Sequence, residues 1–65
     1  PNPVTSVLNI QTSLDVFTEV YNAFGQLVVM GTREKRIDLI GLPNGLYEVV
    51  MNYKGRILIK KIIKS

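Results

Sequence analysis

Cysteine and histidine are both absent from this 65-residue chain. Without cysteine, neither a disulfide framework nor a thiolate metal site can reinforce the fold, so packing alone must hold it. Without histidine, the usual general base near neutral pH and the commonest metal ligand are missing. The five carboxylates, Asp15, Glu19, Glu34, Asp38 and Glu48, show no calcium-loop spacing. Ser6, Ser13 and Ser65 lack a Gly-x-Ser-x-Gly context, and the glycines are spaced as turn residues that build no phosphate-cradling loop. The chain is therefore expected to have no catalytic residue, no metal site and no cofactor. No apolar run approaches the roughly 18 residues of a membrane-spanning helix, and the first residues lack the basic and apolar regions of a signal peptide. Any inner-membrane step of export is expected to be encoded elsewhere in a longer precursor.

What is present fits one small domain. An apolar fraction of 46% with 20% charged residues is too hydrophobic for a disordered tail, so a compact core is expected. At this size only about 60% of the unfolded chain's surface is buried, which makes stability marginal. Apolar and polar residues alternate at period two in short stretches separated by breakers, the pattern of an all-β antiparallel protein. Strands are predicted over 7–12, 14–22, 26–30, 37–40, 46–53 and 57–63, giving a small β-sandwich of about six to seven short strands. No helical stretch is predicted.

Local chemistry sharpens this reading. In the second stretch Val16 and Val20 are assigned inward, although Phe17 and Tyr21 line the other face. Asn22-Ala23-Phe24-Gly25 is a turn in which Gly25 is free to take positive φ, with Phe24 expected to plug one end of the core. Val28 and Met30 are expected inward, and the charged run Gly31 to Arg36 lies in solvent. Pro43 pre-sets φ for a β-turn completed by Asn44 and Gly45, with Leu42 tucked beneath it. Tyr47, Val49 and Met51 share one face of the longest alternation. Tyr47 is the expected core anchor, and its buried hydroxyl needs a partner at the rim. Tyr53-Lys54-Gly55-Arg56 is a hairpin turn. In the last strand the adjacent Ile62 and Ile63 break the period, so a bulge is expected near Lys60-Lys61.

The net charge of +3 is unevenly placed: Arg56, Lys60, Lys61 and Lys64 all follow the last acidic residue, Glu48. Such a basic strip attracts acidic partners, while lysines on an edge strand also serve solubility and block edge pairing. A basic strand beside Tyr21 and Tyr53 imitates a nucleic-acid stacking platform, but with only 8% aromatic residues and no ribonucleoprotein motif, nucleic-acid binding is not expected.

Three features occur in order: Pro1-Asn2-Pro3 at the start, Gly45-Leu46-Tyr47 in the later half, and Lys60-Lys61-Ile62-Ile63-Lys64 at the end. Together with Val20-Tyr21-Asn22 before Gly25-Gln26-Leu27-Val28, and Ile37-Asp38-Leu39 before Leu42-Pro43-Asn44-Gly45, they make the whole chain resemble the C-terminal sorting domain of the type IX (Por) secretion system, of type A. That resemblance implies an immunoglobulin-like sandwich at the C-terminus of a larger exported protein, passing through the periplasm and reaching the cell surface or the medium. It implies as partners an N-terminally fused cargo, the outer-membrane translocon, and a sortase that cleaves upstream of Pro1. The alternative expectation is an adhesive or carbohydrate-binding module on the same fold, since fold alone does not decide function.

Within this resemblance, Pro1, Asn2, Pro3, Gly45 and Tyr47 are the family-motif residues, with Gly45 and Tyr47 assigned mainly to structure. Lys60, Lys61, Ile62, Ile63 and Lys64 are the expected translocon-recognition residues, solvated lysines beside anchored isoleucines. Domains of this type commonly carry a strand before the Asn-Pro motif, where this chain begins, and Ser65 extends the usual ending by one residue. An open sheet edge is therefore expected, and with it a homodimer.

Overall fold

The alternating stretches do become strands. The computed structural model describes residues 3, 4 and 6–65; Pro1 and Asn2, two of the expected motif residues, lie outside the described residues. In chain order the strands are β1 (Pro3–Val4), β2 (Val7–Asn9), β3 (Phe17–Asn22), β4 (Leu27–Thr32), β5 (Arg36–Asp38), β6 (Gly45–Tyr53) and β7 (Arg56–Lys64). β1, β7, β6, β3 and β4 form a five-stranded sheet in that order, and β2 pairs with β5 in a second sheet of two strands. Pairing is antiparallel, except that β1 runs parallel to the end of β7, with Pro3 opposite Ile63 and Val4 opposite Lys64.

The core lies between the sheets. Val16, Thr18 and Val20 turn inward from the second stretch, Tyr47, Val49 and Met51 from β6, Ile62 from β7, and Ile37 and Leu39 from in and beside β5. Leu8, Ile10, Val28, Val29, Leu42 and Tyr53 pack against them. The second stretch is extended only from Phe17, and the first only to Asn9; beyond it the Ile10 amide donates to the Lys35 carbonyl at 2.7 Å and the chain bends away.

Two expected core residues lie outside. Phe24 is 89% exposed and Met30 76%. Phe24 sits at the tip of a turn held by Asn22, whose Oδ1 accepts from the amides of Phe24 and Gln26, both at 2.9 Å, so its side chain projects into solvent. Met30 is displaced by register. β4 slips twice against β3, between the pairs Thr18–Thr32, Val20–Val29 and Tyr21–Leu27. The slips let the neighbours Val28 and Val29 both pack against the core, and Met30 is left facing out.

No such slip occurs at Lys60-Lys61. β6 and β7 stay in regular register from Gly45–Lys64 to Tyr53–Arg56. The expected bulge is unnecessary because both faces of β7 find apolar neighbours: Ile62 lies opposite Tyr47 on the inner face and Ile63 opposite Leu46 on the outer. The hairpin joining the two strands turns at Lys54 (φ 49°) and Gly55 (φ 81°), two positive values that define a turn matching the natural twist of the strands.

Candidate functional site

Tyr47 and Lys64 show how the motif residues are tied together. The Tyr47 ring is 4% exposed, and its hydroxyl donates to the Pro43 carbonyl four residues upstream. This resembles the tyrosine corner of immunoglobulin-type sandwiches, where a phenol bonds back to backbone just before its strand. Gly45 opens that strand at φ 152°, which L side chains rarely adopt; a Cβ there would meet nothing within 4 Å, so backbone conformation and not space requires glycine. The Lys64 ammonium donates to the Leu42 carbonyl at 2.9 Å and to Asn44 Oδ1 at 3.5 Å. The Leu-Pro-Asn-Gly segment, the Gly-Leu-Tyr step and the last residue of β7 thus form one bonded unit. The hydrogen-bonded turn lies just before it, where the Leu42 amide donates to the Leu39 carbonyl at 3.1 Å, and not at Pro43 as expected.

The expected recognition residues do not lie on one face. In a regular strand side chains alternate, so Lys60 and Lys64 flank the buried Ile62 on the inner side, opposite Val49, Gly45 and Tyr47 respectively in register. Lys61 and Ile63 point to the outer side, opposite Glu48 and Leu46. Lys60 and Lys61 are exposed, whereas Lys64 is half-buried and bonded. Ile62 is anchored as expected; Ile63 is not, with 49% of its surface exposed.

A feature missed at the sequence level adjoins this strand. The small sheet is too short to cover the inner face of β7, leaving an open cleft of about 1010 Å³ between residues 8–14 and the β6–β7 hairpin. Its floor is apolar, with Val49, Met51 and Ile62, and Arg56, Leu58 and Lys60 stand along the β7 side. The opposite wall is held by Lys35, whose ammonium donates to the Thr12 carbonyl at 2.8 Å. The period-two pattern does not carry this signal, because it predicts strands over 7–12, 37–40 and 57–63; only the observed lengths of three, three and nine residues leave β7 uncovered.

β7 also presents an edge. β1 covers it only at Ile63 and Lys64, and among the described residues no strand pairs with Arg56 to Ile62 on the side away from β6. The hairpin fixes which backbone groups are left outward. A two-residue turn closes on a hydrogen-bonded pair, here Tyr53 with Arg56, and bonded pairs recur at every second residue. The N–H and C=O groups of Arg56, Leu58 and Lys60 therefore address β6, and those of Ile57, Ile59 and Lys61 face away from it.

A family model described as a secretion system C-terminal sorting domain matches residues 1–65. No curated protein and no solved structure matches the chain.

Proposed function

Because the chain belongs to the family of secretion system C-terminal sorting domains, the C-terminal signal of type IX secretion, we propose that residues 1–65 are the single such domain of a larger exported protein and do no chemistry of their own. The family match over the whole chain carries this reading. A sorting tail of this kind engages the secretion machinery on behalf of a cargo at its N-terminal side and leads it to the cell surface or beyond. The finer steps belong to the proposal: the domain passes through the periplasm, is read by the translocon, and is removed by a sortase upstream of Pro1 as cargo is attached.

The residues proposed to be read are Lys60, Lys61, Ile62, Ile63 and Lys64, supported by the exposure of the first two lysines and the rigid pairing of β7 along the whole of β6. Pro1, Asn2 and Pro3 are proposed as the entry motif, and Gly45 and Tyr47 as the residues that shape the tail. The open β7 edge supports self-association of two copies as a secondary behaviour.

Fusion of residues 1–65 behind a periplasmic fluorescent protein in a type IX-competent strain tests the reading. Fluorescence should reach the cell surface or the medium. Retention in the periplasm would overturn it.

A further inference from the structure

We propose that the β7 edge is a strand-addition site, taking an extended segment of a partner protein whose apolar centre is framed by acidic residues. This rests on the sorting reading and specifies how the tail is read.

Position supplies the first argument. Lys60 and Lys61 point to opposite faces of the sheet, so a partner lying on either face meets only one of them. A partner in the plane of the sheet, along the edge, meets both. There the outward N–H and C=O groups of Ile57, Ile59 and Lys61 are ready to extend the ladder, and backbone bonds of that kind supply the affinity in strand addition. The other long edge is unsuited to it: β4 slips twice in register, and such bulges twist an edge away from new partners.

Charge defines the partner. From Arg56 to Lys61 the side chains read cation, three apolar residues, then two cations. A strand set beside them meets Leu58 on the cleft side, Ile57 and Ile59 on the outer side, and basic groups at both ends. The single ion pair among the described residues joins Arg33 and Asp15, at 3.6 Å. Lys61 has Glu48 opposite it on the outer face, whereas Arg56 and Lys60, opposite Tyr53 and Val49, are the edge cations that no acidic residue opposes in register. A complementary segment carries acids at both ends of three apolar residues. A second copy of β7 brings cations to cations and is the weaker occupant, most so at low salt.

Capped hexapeptides of three valines framed by one glutamate on one side and two on the other, made in both sequence directions, provide the probe. One direction should bind and slow hydrogen exchange of the Ile57, Ile59 and Lys61 amides by about tenfold or more at saturation, as expected of amides drawn into a ladder. The same peptide with lysines for glutamates should not bind, and alternate backbone N-methylation should abolish binding while leaving charge intact. Failure of both directions to protect these amides would overturn the proposal, as would equal binding by the N-methylated peptide. So would a dimer seen by light scattering at low salt in which the Ile57, Ile59 and Lys61 amides are already protected without peptide.

Ile59→Pro removes one outward N–H at a position where an edge strand tolerates proline, and a thermal melt checks that it folds. In the fluorescent fusion, loss of export by folded I59P with the parent sequence exported supports the site. Equal export of both overturns strand addition and leaves the sorting reading standing, whereas failure of the parent fusion itself overturns the sorting reading.

Discussion

Thr18 is the residue whose chemistry disagrees most with its surroundings. It is fully buried among Val16, Val20 and Met51, and its hydroxyl finds no hydrogen-bond partner among the described residues. An unsatisfied buried hydroxyl costs stability, and valine has nearly the same shape without it. Thr18→Val should therefore stabilise the domain by about 1 kcal/mol, seen as a rise of about 4–8 °C in Tm for a chain of this size. Tyr47→Phe should act in the opposite direction, by about 1 kcal/mol, because the Pro43 carbonyl loses its donor. On the outer face Tyr21 donates its phenolic proton to Glu19 Oε1 at 3.1 Å. That bond, followed by desolvation and the Glu19 charge, raises the Tyr21 pKa above the usual tyrosine value. Since the folded value is the higher one, the bond's contribution is present in full below the ordinary tyrosine pKa and is lost as pH rises through the raised one. The ring resonances of Tyr21, followed by NMR as pH is raised, should titrate above the ordinary tyrosine value in the parent chain, and Glu19→Ala should bring them back toward it.

At the scale of the element, β7 combines two kinds of lysine. Lys61 is exposed, and its side chain makes no hydrogen bond among the described residues, so Lys61→Ala should change stability by less than about 0.5 kcal/mol. Lys64 fastens the end of β7 to the Leu42 carbonyl, so Lys64→Ala should lower stability by about 1 kcal/mol, with the charge-assisted bond weakened by partial solvent exposure. Paired thermal melts check the difference, and equal Tm values for the two variants would refute it. The sequence could not distinguish these lysines, because the partner carbonyl lies 22 residues away across a turn. It did disclose β6, where Tyr47, Val49 and Met51 alternate cleanly and are all buried. Alternation within one strand is a local property. The slips between β3 and β4, the parallel placement of β1 and the cover available to Ile63 depend on pairing between strands, which no local period records. For the same reason the basic strip was legible and an open edge was expected, while the division of the strip between two faces and the placing of that edge along β7 were not.

For the whole molecule, ordinary compactness coexists with an uncovered surface. The Cα radius of gyration is 11.0 Å, close to the about 10.7 Å expected for this length. The chain is therefore not expanded, and the exposure of Ile57, Leu58 and Ile59, each more than half accessible, reflects missing cover on both sides of β7. An open edge with apolar flanks invites pairing between copies, but each copy brings a basic edge on a chain of net charge +3. Salt decides the balance. The screening length falls from about 30 Å at 0.01 M to about 3 Å at 1 M ionic strength, so repulsion between two edges fades while their apolar contact remains. Self-association should accordingly be slight at low salt and grow as salt is raised, read by light scattering at several protein concentrations. An acidic strand bound to the same edge should show the opposite slope, releasing as salt rises. A dimer that is tightest at low salt would mean that pairing runs through some other surface, and the charge argument for β7 would fall with it.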